Sequence, residues 1–445
     1  MILQDWWYTT LLAIRTELCP PLQEHLEADA LVVGAGMAGM MAALRLLNGG
    51  RRVVILERNI CGGSSTGKSA GFLTPDSELE LSQIVRRYGR ERAKDLWDAP
   101  VRGIEMIRAA AGTHDITCDL LKADSLYVGN GSSGWRAARE EVDARRALGY
   151  PQQLYTAAEL PSVLGSTAYA GGIRYPDCYG IDALLFAQGL KRALLAAGVR
   201  IFESTEALRL EGHTVHTHLG SVTAADIVFC IDKADPALSP YAANVFHAQT
   251  FLAISEPLGD PDVRRLFPDE PLQCWDSDLV YSYWRLTGDQ RLLLGGGSAL
   301  TTFALHAVTT QRVIRRVIRD FKRRFPYLER LKFIQYWPGL IDTTRDLLPT
   351  VVRDDRSPWV QWVLGCVGLP WAAFCGDFAA RNVLGTATED DARYYRYFAA
   401  ERPFLLPLWT ERLLGKPLVF SLNNGWAKYY QVDRKERLTP VPHDL

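Results

Sequence analysis

Hydrophobic and polar positions follow two different periods near the start of the chain. Ala28–Val33 is a short apolar run that ends at a glycine, which predicts a buried parallel strand. Met37–Leu47 carries apolar residues on every turn and ends at Asn48-Gly49-Gly50, as a helix followed by a stop signal does. Arg52–Leu56 predicts the next strand. The pattern therefore indicates a strand–helix–strand unit with parallel strands.

Helical and alternating segments succeed one another along the rest of the chain. Helical periodicity predicts helices at Ser77–Ala111, Trp135–Leu148, Ile181–Ala197 and Thr309–Phe325, with a Gly/Ser-rich turn at Gly129–Gly134. Strand patterns predict Val199–Phe202, a β-meander from there to Asp232, and a second sheet from Phe246–Ser255, Leu279–Leu286 and Arg291–Leu294. The Arg and Lys residues of the last helix are expected to form its solvent-exposed face.

Length and charge restrict the class of protein. The chain has 445 residues, which is long for one core and favours two joined domains. Lys and Arg total 50 and Asp and Glu total 51, a formal net charge of −1, so no nucleic-acid partner is expected. The eight cysteines contain no C-x-x-C pair. No apolar run reaches the length of about 18 residues that a membrane span needs. The N-terminus lacks a signal-peptide layout, so we predict a cytoplasmic protein.

A glycine-rich turn, Gly34-Ala35-Gly36-Met37-Ala38-Gly39, joins the first strand to the helix. Gly34 permits the tight turn, Gly36 lets the backbone approach a pyrophosphate, and Gly39 lets helix and strand pack closely. The helix start presents free N–H groups and a positive dipole end to the phosphates. Glu57 ends the second strand, where its carboxylate is placed to accept hydrogen bonds from ribose hydroxyls. Strand, glycines, helix, strand and acid in register predict a dinucleotide-binding site.

The loop that follows the second strand, Cys61–Gly71, is rich in glycine and small polar residues. Such a loop lets backbone N–H groups come close to phosphate and to an isoalloxazine ring, which would make the dinucleotide FAD rather than NAD. A plain solvent-exposed loop has the same composition. The residues alone leave both interpretations open.

Together with the rest of the chain, these motifs resemble the D-amino-acid oxidase and glycine/sarcosine oxidase superfamily of FAD-dependent oxidoreductases. Within it the chain resembles γ-glutamylputrescine-oxidase-like members most closely. The resemblance covers almost the whole chain, in pieces. They are Asp5-Trp6-Trp7-Tyr8, the glycine turn with Glu57, the loop Gly63–Gly71, Gly180-Ile181-Asp182, Thr205-Glu206-Ala207, Trp337-Pro338-Gly339, Asp346–Pro349 and Gly365–Pro370.

The resemblance implies an α/β (α+β) fold in which a Rossmann-like FAD-binding domain is interleaved with an antiparallel-sheet substrate domain. We expect a leader at 1–28, the FAD-binding domain at 29–110, 171–245 and 337–390, the substrate domain at 111–170 and 246–336, and a C-terminal extension at 391–445. The residues expected to contact FAD are Gly34, Gly36, Met37, Ala38, Gly39, Glu57, Arg58, Ser64, Ser65, Thr66, Lys68, Ser69, Ala70, Ala207, Gly339, Gly368, Leu369 and Pro370.

Three positions depart from the family pattern. Ile341 stands where many amino-acid-oxidising members carry an arginine that clamps a substrate carboxylate, which argues against a simple α-amino acid. Gly339 and Lys68 stand where members with covalent flavin carry cysteine or histidine, so we expect non-covalent FAD. Asp232-Lys233 replaces small residues, and this puts the local flavin contacts in question.

The resemblance implies oxidation of the C–N bond of an amine or amino-acid derivative by hydride transfer to flavin N5, followed by imine hydrolysis. A dry aromatic pocket favours the neutral amine that this reaction needs. Alternation places Tyr281, Tyr283 and Arg285 on one strand face, either to hold the substrate or as ordinary cross-strand pairs. Lys68 would raise the flavin potential or activate oxygen, or else pair with a phosphate or carboxylate.

Other interpretations stay open. A non-catalytic FAD-binding assembly protein and a flavoenzyme for a non-amine substrate are the alternative hypotheses. The electron acceptor is oxygen or a quinone-type carrier, and the sequence does not define the oligomeric state. His213, His216 and His218 are expected to be exposed rather than to bind a metal, and His247 and His306 show no partner. The C-terminal extension is expected to cover its own domain, with membrane contact as the alternative.

Overall fold

The computed structural model describes residues 1–14, 16–76, 78–232, 235, 236, 238–298, 308–402, 406 and 409–425. Lys233, His306 and residues 426–445, about which the sequence made predictions, lie outside this set. The strands are β1 (Ile2–Leu3), β2 (His25–Val33), β3 (Val53–Leu56), β4 (Phe72–Leu73), β5 (Leu121–Lys122), β6 (Ser125–Val128), β7 (Gln153–Thr156), β8 (Gly171–Tyr175), β9 (Tyr179–Gly180), β10 (Arg200–Phe202), β11 (Arg209–Glu211), β12 (Thr214–His216), β13 (Ser221–Phe229), β14 (Phe246–Pro257), β15 (Gln273–Asp276), β16 (Tyr283–Leu286), β17 (Arg291–Gly296), β18 (Phe333–Thr343), β19 (Thr350–Arg353) and β20 (Val360–Leu364). The helices are α1 (Trp6–Leu12), α2 (Met37–Asn48), α3 (Leu81–Thr113), α4 (Gly131–Leu148), α5 (Ala183–Ala196), α6 (Asp260–Leu266), α7 (Gln311–Arg324), α8 (Leu369–Leu384), α9 (Ala392–Tyr397), α10 (Trp409–Leu414) and α11 (Lys416–Gly425).

A parallel sheet carries the predicted strand–helix–strand unit. Strands β10, β3, β2 and β13 lie side by side and are parallel, and β20 also runs parallel to β13. Alternate residues of β2 join two different cores: Val32 packs with the residues of α2 and α8, and Leu31 packs with Trp362 on the other face. Because both faces of this sheet are covered, the sequences of its strands are continuous apolar runs.

A second, largely antiparallel sheet has the order β1-β18-β14-β17-β16-β15-β6-β8-β7. One face is covered by α7, whose Phe321 contacts Trp284 of β16 with 5.6 Å between ring centroids. The other face carries Tyr283, which contacts Phe72 of β4 at 5.9 Å. Alternation along β16 therefore separates Tyr283 from Trp284 as predicted. A third sheet of three strands has the order β4-β9-β5. The predicted mixed α/β fold is confirmed.

The strand predicted at Leu279–Leu286 is shorter than expected. It begins at Tyr283, because the Asp276 carboxylate accepts hydrogen bonds from the N–H groups of Asp278 and Ser282 and closes a turn ahead of the strand. Leu279 is exposed in that turn. Local hydrophobicity thus overstated the length of the strand.

Two helices also differ from the predicted pattern. Helix α4 begins at Gly131, inside the segment predicted as a turn, and Ser277 Oγ accepts a hydrogen bond from the Asn130 N–H at its start. Helix α3 is interrupted at Gly89, whose φ of 77° lies outside the helical region. The helix continues after this kink and packs along α8.

The N-terminal leader is bound to the rest of the fold. Strand β1 pairs with β18, and the buried Trp7 of α1 donates its Nε1–H to the carbonyl of Ser69 at 2.7 Å. Strands β8 and β18 belong to the antiparallel sheet, although the sequence assigns residues 171–175 and 337–343 to the FAD-binding domain. The domain boundaries remain predictions.

A buried arginine anchors the start of the C-terminal extension. Arg402 donates to the carboxylate of Asp346 and to the carbonyls of Leu348 and Pro349, at 2.6 and 3.0 Å. Further along, Trp409 and Leu413 are exposed. Within the described part of the chain, no helix is both long enough and apolar enough to cross a membrane.

Candidate active site

The glycine turn between β2 and α2 has no room for side chains at two positions. Gly34 has a φ of +97°, and a Cβ there would stand 2.3 Å from the carbonyl oxygen of Cys230. A Cβ on Gly39 would stand 1.8 Å from the carbonyl oxygen of Gly34. At Gly36, which caps α2, the nearest atom is Thr66 Oγ1, at 3.2 Å. Helix and strand therefore touch at Gly34 and Gly39, while the turn remains approachable at Gly36.

Glu57, at the end of β3, is held by the backbone of the turn. Its Oε2 accepts a hydrogen bond from the Ala35 N–H at 2.8 Å, and its Oε1 accepts one from the Asn59 N–H at 2.7 Å. Burial raises the pKa of Glu57, and the two N–H groups oppose that rise. Each carboxylate oxygen keeps further acceptor capacity toward the cleft that Glu57 lines.

The loop after β3 folds over the start of α2. The Gly62 N–H donates to the carbonyl of Ala35 at 2.8 Å, and Thr66 Oγ1 accepts the Met37 N–H at 2.9 Å. Ser64, the next predicted contact, donates its hydroxyl to Asp232 Oδ2. The loop thus brings small side chains next to the first turn of the helix.

A cleft runs along this turn and opens between the two sheets. Predicted FAD contacts that line it are Gly34, Gly36, Met37, Ala38, Glu57, Arg58, Ser64, Ser65, Thr66 and Ala207. Thr205, Glu206, Gly365 and Cys366, from segments that carry the family resemblance, line it too. The lining residues that the sequence did not indicate as contacts are Val33, Leu56, Cys230, Ile231, Asp232, Asp235, Leu238, Ile341, Asp342, Val363 and Ala372. Many of the latter follow the ends of parallel strands, a position that would have identified them, because ligands bind at the carboxyl ends of such strands.

Carboxylates dominate the charged groups of the cleft wall. Asp232 Oδ2 accepts the hydroxyl protons of both Ser64 and Ser65, the latter at 2.7 Å. Arg58 lies 3.6 Å from Asp232 and 3.6 Å from Glu206. The hydroxyls of Ser64 and Ser65 and the guanidinium of Arg58 therefore all contact Asp232, an acid at a position where the family pattern has a small residue.

Several predicted contacts lie beyond the cleft wall, where the loop meets the antiparallel sheet. The carbonyl of Lys68 accepts the Trp337 Nε1–H at 3.1 Å, and a Cβ on Gly339 would lie 3.8 Å from that same carbonyl oxygen. Lys68 also lies within Coulombic range of Asp5. Ser69 Oγ donates to the carbonyl of Thr66 at 2.8 Å. Lys68, Ser69 and Gly339 therefore lie close together at this contact, and their contact with FAD stays a prediction.

The start of α8 holds the remaining predicted contacts. Gly368 precedes the helix with a φ of 94° and is exposed, and Leu369 and Pro370 are buried. Pro370 packs against α3, since a Cβ on Gly103 would stand 2.0 Å from its carbonyl oxygen. Leu369 and Pro370 thus face the protein interior, and of these three residues only Gly368 is exposed.

The three residues predicted on one strand face have different surroundings. Tyr281 and Tyr283 lie with ring centroids 5.6 Å apart, and Tyr281 Oη donates to Glu78 Oε1 at 3.2 Å. Arg285 is buried and donates to the carbonyls of Ala70 and Ile181, each at 2.7 Å. Burial lowers the pKa of Arg285 to about 10. Its guanidinium is engaged by the backbone, whereas the two tyrosines keep accessible surface.

The histidines occupy three different environments. His213 stacks on Trp359 with 4.1 Å between ring centroids, and His216 lies 3.2 Å from Glu211. The expectation that His247 lacks a partner was wrong, because its Nδ1 lies 2.7 Å from Asp342 Oδ1 across the β14–β18 pair. Among the described residues, no group of three or more His, Cys, Asp or Glu side chains is arranged to hold a metal ion.

Comparisons with known proteins agree with this architecture. The family model described as DAO, FAD dependent oxidoreductase, matches residues 29–381. The chain is 26% identical over 386 residues to the probable oxidoreductase OrdL of Haemophilus influenzae, covering 84% of this chain and 86% of the relative. It is 27% identical over 381 residues to the γ-glutamylputrescine oxidoreductase of Escherichia coli, covering 83% and 87%. The resemblance inferred from the sequence is confirmed.

A solved structure supports the fold. The glycine oxidase of Geobacillus kaustophilus superposes with a TM-score of 0.73 at 19% sequence identity, over 85% of this chain and 99% of that protein. A sequence identity of 19% supports a shared fold and does not identify the substrate of this chain.

Proposed function

The chain belongs to the DAO family of FAD-dependent oxidoreductases, and from this membership we propose that it oxidises the C–N bond of an amine or amino-acid derivative. The observation that carries the proposal is the continuous cleft from Glu57, past Gly34 and Gly36, to Ile341 on the antiparallel sheet. Its first part lies at the glycine turn, where the nucleotide is assigned. Its far end reaches the antiparallel sheet, which contacts the loop Cys61–Gly71, here called the flavin loop. A cleft of this layout fits an extended dinucleotide such as FAD.

The residues at the glycine turn suit the diphosphate part of FAD. Gly36 leaves the turn free of a side chain, and the first turn of α2 places N–H groups and a positive dipole end at the cleft. Glu57 is assigned to the ribose hydroxyls, because the Ala35 and Asn59 N–H groups fix the orientation of its carboxylate. Asp232 fits diphosphate binding poorly, because it places a negative charge in the cleft wall close to the assigned diphosphate position.

We assign non-covalent binding to the flavin. Gly339 and Lys68, the two positions where covalent members carry cysteine or histidine, face each other across the loop–sheet contact. A glycine has no side chain to attach, and the pairing of Thr250 with Gly339 leaves the Thr250 hydroxyl 3.4 Å from a Cβ built there. This part of the sheet is therefore suited to pack against a ring rather than to bond to it.

FAD, when bound, supplies the acceptor for a hydride equivalent from the carbon next to nitrogen. The chain's own residues provide the site: Tyr281 and Tyr283 form an aromatic wall that excludes water and favours the neutral amine. Ile341 offers no guanidinium for a substrate carboxylate. Arg285 is assigned to positioning, because it ties the flavin loop to the strand through the Ala70 carbonyl.

The test is flavin reduction by amines. The purified protein should be yellow, and mixing it without oxygen with a panel of primary and secondary amines should bleach the flavin absorbance. Gly36→Val, which projects a side chain into the turn, should abolish flavin uptake while the far-ultraviolet circular dichroism stays unchanged. A yellow protein that no amine in the panel bleaches would contradict the proposal and favour a non-catalytic FAD-binding assembly protein.

Reoxidation of the reduced protein by oxygen and by a soluble quinone would identify the electron acceptor. Oxygen and a quinone-type carrier are both compatible with the sequence. The cytoplasmic location is a separate prediction from the sequence.

A further inference from the structure

The N-terminal leader supplies two hydrogen-bond donors to the flavin loop. Tyr8 of α1 donates its hydroxyl proton to the carbonyl of Gly63 at 3.1 Å. Trp7, the preceding residue, donates its Nε1–H to the carbonyl of Ser69 at 2.7 Å. These bonds join residues that are 55 and 62 positions apart in the sequence. Helix α1 lies before the part of the chain that the family model matches, which begins at residue 29, so these contacts add to the family's own flavin site.

The two carbonyls belong to peptide units whose N–H groups come from predicted FAD contacts. The Gly63 carbonyl shares its peptide plane with the N–H of Ser64, which lines the cleft. The Ser69 carbonyl shares its plane with the N–H of Ala70. In a trans peptide unit the C=O and the N–H point in opposite directions. Donors that hold both carbonyls on the leader side therefore direct these two N–H groups away from the leader.

The leader donors are themselves held in place. Trp7 is 1% exposed, and its ring contacts Trp337 with 6.5 Å between centroids. The Asp5 carboxylate caps α1 by accepting the Trp7 N–H at 3.0 Å. Thr10 donates its hydroxyl proton to Asp182 at 2.7 Å and so joins α1 to the start of α5. Fixed donors hold a loop with less loss of conformational entropy than mobile ones, so α1 is suited to position the loop.

The leader and the loop also fit closely at Gly63. A Cβ at this position would lie 2.7 Å from Tyr8 Oη and 2.6 Å from Ile60 Cγ1. Glycine therefore lets the tyrosine hydroxyl reach the main chain of the loop. On its other side the loop is held by the antiparallel sheet, where Trp337 donates to the Lys68 carbonyl at 3.1 Å. The leader and the sheet thus hold successive carbonyls of one cleft-lining loop.

We propose that Trp7 and Tyr8 are positioning residues for FAD, which orient the flavin loop toward the cofactor and slow the release of the cofactor. The inference rests on the assignment of this loop to FAD in the proposed function and is independent of the substrate. Without the two donors, the carbonyls of Gly63 and Ser69 would lose their partners, and an unpaired main-chain group is costly. The loop would turn toward other donors, and its N–H groups would no longer face the cofactor.

The experiment deletes each donor and keeps an aromatic ring in its place. Tyr8→Phe removes one hydroxyl, and Trp7→Phe removes the Nε1–H. Tyr327→Phe is the matched control for the tyrosine, because its hydroxyl also donates to a main-chain carbonyl, that of Arg265 at 3.4 Å. Trp6→Phe is the control for the tryptophan, because the Trp6 ring lies against the guanidinium of Arg291, 4.4 Å from the ring centroid.

Three measurements are made on each variant. Fluorescence titration of the apoprotein gives the Kd for FAD, and dilution of the loaded protein gives the release rate. The visible circular dichroism of the bound flavin reports the surroundings of its ring. Tyr8→Phe and Trp7→Phe should each raise the Kd about three- to tenfold, the scale of one net hydrogen bond, with faster release and an altered visible spectrum. Both control variants should match wild type in all three.

Unchanged FAD affinity and release in both Tyr8→Phe and Trp7→Phe would overturn the inference, and so would an equal loss of affinity in Tyr327→Phe. A lower melting temperature of the apoprotein with unchanged FAD binding would reduce the two residues to a structural role. If Trp7→Phe fails to fold, Tyr8→Phe decides the test. An amine panel that never bleaches the flavin would sink the proposed oxidation alone, while weaker FAD binding in Tyr8→Phe would still support the positioning role.

Discussion

Replacing Gly103 by alanine tests how closely helix α3 approaches the start of α8. An alanine normally favours a helix over glycine by about 1 kcal/mol. Here the added Cβ would stand 2.0 Å from the Pro370 carbonyl oxygen and 2.7 Å from its carbonyl carbon, whereas real Cβ contacts are essentially never below 3.0 Å. The two helices must separate by about 1 Å, and the obstacle is backbone, which cannot rotate away.

The expected cost exceeds the gain in helix propensity. Overpacking a core typically costs about 1–3 kcal/mol, and a backbone clash belongs at the upper end of that range. After subtraction of the propensity gain, Gly103→Ala should destabilise the protein by about 2 kcal/mol. The matched control is Gly112→Ala in the same helix, where an added Cβ meets nothing within 4 Å and should stabilise by up to about 1 kcal/mol.

Urea unfolding followed by tryptophan fluorescence compares the two variants with wild type, and the flavin-to-protein ratio is measured in parallel. Since Gly368 and Pro370 stand at the start of α8, a displaced helix should also lower the flavin content of Gly103→Ala. If Gly103→Ala matched or exceeded Gly112→Ala in stability, the close α3–α8 contact would be refuted, and with it the packing argument for this end of the site.

Two further changes test the charges around the cleft. Asp5→Asn should alter the pH dependence of stability, because burial raises the pKa of Asp5 to about 7. The contribution of Asp5 to the free energy of unfolding is fully present below its ordinary pKa of 3.8 and is lost as the pH rises through about 7. The variant should therefore gain about 2–4 kcal/mol over wild type at a pH above 7, read from urea unfolding at a series of pH values, and parallel profiles would contradict this. Asp232→Ser should bind FAD about tenfold more tightly, because it removes a carboxylate near the diphosphate and frees the Ser64 and Ser65 hydroxyls. Fluorescence titration of the apoprotein measures this affinity, and weaker binding would show that Asp232 supports the cofactor.

Local signals in the sequence were enough for the nucleotide-binding unit. A buried strand, three glycines at fixed spacing, an amphipathic helix and a terminal acid are consecutive in the chain, so their geometry follows from the backbone requirements of one turn. The structure agrees with the roles of Gly34 and Gly39 in the tight turn and the helix–strand contact. A Cβ at these two positions would lie 2.3 and 1.8 Å from a backbone carbonyl oxygen, so no side chain fits there. Alternation likewise placed Tyr283 and Trp284 on opposite faces of β16.

Tertiary structure alone decided what these side chains touch. Arg285 shares a strand face with Tyr283, yet its guanidinium binds the carbonyls of Ala70 and Ile181, which are more than 100 positions away in sequence. The contacts of Asp232 with the serines of the flavin loop, of His247 with Asp342, and of Tyr281 with Glu78 join residues that are between 95 and 203 positions apart. Periodicity specifies which face a residue occupies, but the partner on that face depends on how distant elements pack, and no local pattern in one sequence contains that information.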